Sequence, residues 1–259
     1  MSRRGVRTPR DMKSTQDPVG SMEDQAGAAR FMREEIETCW TLIRGAAIGR
    51  ASDRSAFAKL YMPCVRAYLA ARWRSTSLAS EIEDVVQEVF IACLREGGVL
   101  EGADPDHPSG FRALLIRVTR NMALVTERDR GRRAGHMKDG HTALESTPVD
   151  EPSLSQAFDR AYARAIMAQA RDQMAQRAAE LGDRAERRVE LLRMRFDDGL
   201  PIRLIARSWG EDPAHLHREY EKARREFRAA LADVVSATEH CTSETVEQEC
   251  RRLIGFLST

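Results

Sequence analysis

Arginine side chains carry most of the chemistry this chain could perform. Arg112, Arg117, Arg120, Arg128, Arg130, Arg132 and Arg133 crowd one stretch, where Glu127 and Asp129 stand against them. At helical spacing, Arg117, Asn121 and Arg128 share one face, and Phe111, Leu114, Leu115, Val118, Met122 and Val125 share the other. A one-signed face attracts phosphate regardless of sequence and in a salt-dependent way, although a charged face can equally be a solvated one. A second basic set, His215, His217, Arg218, Lys222, Arg224 and Arg225, is interrupted by Glu219 and Glu221. The third set is acidic with one amide: Glu81, Asp84, Gln87 and Glu88.

Other chemistry finds little support. His215 and His217 lie two apart and so point to different sides of a helix, while His240-Cys241 has no second pair; a structural metal is not expected. The Asp104-Pro105-Asp106 turn reads as a solvent loop. Glycine-rich phosphate loops, G-x-S-x-G and H-E-x-x-H are absent, so neither an enzyme nor a cofactor is expected. The five cysteines (Cys39, Cys64, Cys93, Cys241 and Cys250) form no C-x-x-C pair and read as reduced thiols of a cytoplasmic protein. With 41 Lys+Arg against 40 Asp+Glu, the distribution of charge matters more than its sum. No apolar run is long enough for a membrane span, and the amino terminus lacks an apolar signal core.

These residues must be held by helices, because no strand pattern is found and the chain reads as all-α. Residues 1–28 read as a disordered leader. A helix is expected through Phe31, Ile36, Trp40 and Ile43, and another from about Ser52 to Trp73 with a kink at Pro63. Ile82, Val85, Val86, Val89, Phe90 and Cys93 form a stripe that leaves the acidic set outward, with Ser80 and Glu83 as a capping box. Ser109 is expected to cap the arginine-rich helix. From 131 to 152 no apolar repeat survives, which predicts a flexible interdomain linker. Ser153 and Gln156 predict a second capping box, and a further helix is expected to hold Val189, Leu192 and Phe196 and to stop at Asp198-Gly199.

Farther on, Gly210 predicts a turn, Asp212 a cap and Pro213 a first helical position, together a helix-turn-helix or, on geometry alone, an ordinary helical hairpin. Val246, Cys250, Leu253, Ile254 and Leu257 make a last amphipathic helix, either packed or frayed. The domains read as 29–130 and 153–235, with the extension 236–259.

Three strings go beyond periodicity. "E-I-E-D-V-V-Q-E-V-F" from Glu81, "F-R-A-L-L-I-R-V-T-R-N-M-A" from Phe111, and "L-L-R-M-R-F-D-D-G-L-P-I-R-L-I-A-R-S-W-G" from Leu191 with "A-R-R-E-F" from Ala223 resemble bacterial sigma factors of the extracytoplasmic-function type. They occur in that family's order, and the likeness covers roughly residues 31 to 233. The resemblance implies an amino-terminal sigma bundle and a carboxy-terminal helix-turn-helix domain. It further implies that Glu81, Asp84, Gln87 and Glu88 dock on the clamp of RNA polymerase core. Arg112, Arg117, Arg120, Asn121 and Arg128 would meet the minus-ten promoter element. His215, His217, Arg218, Lys222, Arg224 and Arg225 would face the minus-thirty-five element. In the family the Gly97 to Ser109 loop holds a flipped-out base, and a tryptophan stands where Leu115 is here.

An anti-sigma factor is an open further partner. Glu219 and Glu221 would repel phosphate and predict weak DNA binding by the carboxy-terminal domain alone. The competing readings are a stand-alone helix-turn-helix regulator and an interaction-only helical protein with decayed DNA surfaces.

Overall fold

The computed structural model describes residues 40–104, 107, 110–137, 150–239 and 243–257, and every regular element among them is helical. The leader, Phe31 and Ile36, Cys39, Ser109, the middle of the expected linker and His240-Cys241 lie outside the described residues.

Helix α1 (residues 40–47) buries Trp40 and Ile43 and leads into α2 (Ala51–Arg72), which runs without interruption through Pro63. A 3-10 turn (Ser77–Glu81) precedes α3 (Ile82–Leu94), and α4 (Gly110–Met137) follows. Aromatic rings weld these helices together. Phe57 lies 5.0 Å from Tyr61, 5.5 Å from Phe90 and 5.8 Å from Phe111, ring centre to ring centre, in tilted or edge-on pairs. Such pairs add about 0.5–1.5 kcal/mol each beyond the area they bury. Cys64 and Cys93 fill the same core, where burial pushes both thiols up to about 12. They pack as small hydrophobes.

Gly98 closes α3. A Cβ there would lie 2.5 to 2.9 Å from the carbonyl oxygens of Arg95, Ala92 and Cys93, so a side chain would break the turn.

The longest helix, α5 (Glu151–Leu181), organises everything else. It packs against α2, and also against α6 (Asp183–Phe196), α8 (Pro213–Glu239) and α9 (Ser243–Leu257). Its buried face is rich in small residues, Ala161, Ala163 and Ala170 around Ile166, which let neighbouring helices approach closely. One buried cluster therefore extends from Trp40 through Phe158 and Ile166 to Leu231, Val234 and Val235 of α8 and Val246 and Leu253 of α9. Helix α7 (Ile202–Trp209) completes a small separate core of Leu191, Ile202, Ile205, Ala206 and Leu216.

Several expectations are corrected here. The bounds of the expected linker narrow, since 131–152 is helical up to Met137 and again from Glu151, and residues 138–149 lie outside the described residues. Both capping boxes fail. The Thr76 hydroxyl, not Ser80, accepts from the backbone N–H of Leu78, and α3 begins at Ile82 with no side-chain cap. Ser153 lies inside α5, whose first turn holds Pro152. The helix expected to hold Val189, Leu192 and Phe196 is α6, which buries Leu191 and Leu192 and leaves Phe196 67% exposed. In α9, Val246, Glu249 and Leu253 face inward, whereas Ile254 and Leu257 face solvent. The carboxy-terminal helix is thus packed, rotated from the stripe its apolar residues suggested.

Candidate nucleic-acid and partner interface

Helix α4 is turned by roughly one position from the expected stripe. Phe111, Leu115, Thr119 and Ala123 form its buried line, and Val125 is 50% exposed. The buried Thr119 hydroxyl is satisfied by donating to the Leu115 carbonyl at 2.8 Å. The next position along that line is Glu127, a carboxylate pointed at the core.

Glu127 explains the rotation. Its carboxylate accepts two hydrogen bonds from Arg72, at 2.7 and 3.1 Å, and one from the Trp73 indole at 2.8 Å. Arg72 is only 5% exposed, so its charge needs a partner. Its Nη1 has no hydrogen bond and looks toward Glu151, 3.7 Å away. Burial by itself would raise the Glu127 carboxyl, but the Arg72 and Trp73 hydrogen bonds and the guanidinium charge outweigh it and hold it below the usual range. Tyr68 donates to Glu151 at 3.2 Å, and burial together with that carboxylate pushes the phenol up to about 12. This polar knot joins the end of α2 to α4 and the start of α5. No short-range pattern marks it, since its members are 55 and 83 residues apart.

The rotation leaves Arg117, Asn121 and Arg128 exposed on the outer face of α4, as the sequence predicts. Two expected members are engaged elsewhere. Arg112 forks onto Asp159 of α5, at 2.5 and 2.7 Å, with its guanidinium 5.9 Å from the Phe158 ring centre. Arg120 pairs with Glu151 at 3.3 Å.

On α3, Val85, Val86, Val89, Phe90 and Cys93 are buried, and Asp84, Gln87 and Glu88 are exposed. Glu81 is partly buried and sits 3.7 Å from Arg130 of α4. Between α3 and α4 runs a groove of about 420 Å³ that Asp84, Gln87 and Glu88 line on one side and Arg130 and Arg133 on the other. Ile91 and Val125, 57% and 50% exposed, give it apolar spots. Neither residue was marked by its sequence surroundings, since both continue apolar patterns that would ordinarily be buried.

The turn between α7 and α8 is built as its sequence predicts. Gly210 adopts the left-handed conformation (φ 67°) that ends α7, and the Glu211 N–H donates to the Ala206 carbonyl at 2.9 Å. The Asp212 carboxylate accepts from the His215 backbone N–H at 2.9 Å, capping α8. Arg187 of α6 braces the turn, stacked 4.6 Å from the Trp209 ring centre and paired with Glu211 at 2.7 Å. Leu216 is buried, which throws His215, His217 and Arg218 outward together with Arg225.

Lys222 and Arg224 are also at the surface but are tied to their own helix, to Glu219 at 2.6 Å and Glu221 at 3.1 Å. Glu219 itself turns inward. It lies 3.5 Å from Arg188 of α6, which also holds Glu226 at 2.8 Å. The hydrogen bond from Lys222 lowers the Glu219 carboxyl against the opposing effect of burial, and the Lys222 and Arg188 charges lower it further. Glu219, one of the two carboxylates expected to repel phosphate, is therefore ion-paired within the fold.

No described helix is long and apolar enough to cross a membrane. No family model matches the chain, and no curated protein or solved structure matches it either.

Proposed function

We propose that the chain is a sigma-type subunit that brings RNA polymerase core to particular promoters. The observation that carries this reading is the groove between α3 and α4, where the outward Asp84, Gln87 and Glu88 border exposed Ile91 and Val125. Charged groups around exposed apolar side chains suit docking of another protein, because the apolar contacts supply affinity and the charges supply register. The outer face of α4, with Arg117, Asn121 and Arg128, then takes the minus-ten element. The first turns of α8 take the minus-thirty-five element through His215, His217, Arg218 and Arg225. An anti-sigma factor would compete for the same surfaces, and the work would be done in the cytoplasm.

The test is co-purification of the full chain with bacterial core polymerase, followed by run-off transcription. The wild type is expected to bind core and support initiation, and the D84R/E88R variant to lose core binding while its circular dichroism and melting stay unchanged. Exposed polar substitutions normally shift stability by no more than about 0.5 kcal/mol. A wild type that never binds core removes the proposal.

A stand-alone helix-turn-helix regulator is the second reading, favoured by the separate small core that supports α7 and α8. It is distinguished by specific duplex binding in the complete absence of polymerase.

A further inference from the structure

Two of the α4 arginines face an internal anion, and the spacing is matched. Arg112 and Arg120 are separated by eight residues on α4, and so are Glu151 and Asp159 on α5, a distance of about 12 Å along each helix. Arg112 meets Asp159 and Arg120 meets Glu151, so the two helices run antiparallel with one ion pair at each end of this interval. The Arg112 pair uses the guanidinium fork, Nε and Nη2 on the two carboxylate oxygens, which is the geometry arginine also uses on phosphate.

Both arginines remain within reach of solvent, at 43% and 52% exposure. The carboxylates cannot drift away, because α5 is anchored by Leu154, Phe158 and Ile166 in the main core. A tethered anion at a fixed position acts at a high effective concentration. The guanidinium ends of both pairs are open to solvent, although Asp159 itself is only 15% exposed, so salt screens the pairs and a nucleic-acid backbone can compete for the arginines.

We infer that Asp159 and Glu151 are built-in competitors for nucleic-acid phosphate at Arg112 and Arg120, holding down the chain's own affinity for DNA. The inference rests on the reading of α4 as a DNA-facing helix. It adds that α5 occupies two further arginines of that helix, beside the outer face of Arg117, Asn121 and Arg128, so free chain binds DNA less tightly than its arginines would allow.

The experiment measures fluorescence anisotropy of a labelled DNA duplex with the full chain, from about 50 to 200 mM salt. Four proteins are compared: wild type, D159N, E151Q/D159N, and E151Q/D159N carrying R112A/R120A. Each freed arginine adds one phosphate contact, so the log–log salt slope steepens by about 0.9 in D159N and about 1.8 in the double variant. The double variant then loses roughly tenfold more affinity across that salt range than the wild type does, starting from tighter binding at low salt. The gain disappears when the two arginines are removed. Wild-type slope and affinity in folded D159N overturn the inference, as does a gain that survives without the arginines. D159N decides the matter if the double variant is unstable, because it leaves the contacts of Glu151 with Tyr68 and Arg72 in place. Failure to bind polymerase would retire the proposed function without altering this result, and unchanged salt slopes in a chain that does bind polymerase would retire the inference alone.

Discussion

Glu127→Ala removes the acceptor that Arg72 and Trp73 share, and the structure sets the size of the effect. Arg72 is 5% exposed, so after the substitution its charge stays buried with Glu151 alone, 3.7 Å away and not hydrogen-bonded. Breaking a buried pair by removing one partner costs about 3–5 kcal/mol when nothing else compensates. Glu127 is itself 30% exposed and Glu151 is near, which places the charge effect at about 2–3 kcal/mol. The orphaned Trp73 indole, 1% exposed as a residue, adds about 1 kcal/mol.

The expected loss is therefore about 3–4 kcal/mol, or a fall in Tm of about 6–16 °C for a chain of this size. Urea titration followed by circular dichroism measures it as a shift in midpoint. The double variant R72M/E127L, which removes the buried charge together with its partner, is expected to recover most of the loss. A Glu127→Ala variant within about 1 kcal/mol of the wild type would refute the reasoning, because Arg72 would then be reaching water that the structure denies it.

Three further outcomes follow from the same geometry. Because the folded-state carboxyl of Glu127 lies below its ordinary value, its contribution is complete above the unfolded carboxyl range near 4.5 and is lost as pH falls through the lower folded value; urea midpoints should drop in acid less steeply for Glu127→Gln than for the wild type. Leu253→Ala should cost about 2–4 kcal/mol in the same titration, since Leu253 is 1% exposed in the main core, whereas Ile254→Ala should cost less than about 1 kcal/mol. R117A/R128A should reduce promoter opening by the polymerase complex, read by permanganate reactivity, more than it reduces core binding; an unchanged bubble would return the outer face of α4 to plain solvation.

The elements legible from sequence were those whose evidence lies within a few residues. The α3 stripe needs only neighbours three and four positions away, and the structure buries Val85, Val86, Val89, Phe90 and Cys93 as that spacing requires. Gly210, Asp212 and Pro213 specify the turn and the start of α8 through backbone conformation and a missing N–H, both local properties. What stayed hidden depends on partners distant in the chain. Helix α4 carries enough apolar residues for two rotations, and the partly buried carboxylate of Glu127, drawn to Arg72 and Trp73, favours the one that exposes Val125. The polar run after Gly131 reads as a linker, yet the helices on both sides extend into it, and α5 buries alanines against elements from both halves. Likewise, whether Arg112 or Glu219 faces outward is set by Asp159 and Arg188, side chains 47 and 31 residues away. Periodicity reports that a face is charged; the charge it meets across a helix interface comes only from folding that distant partner into place.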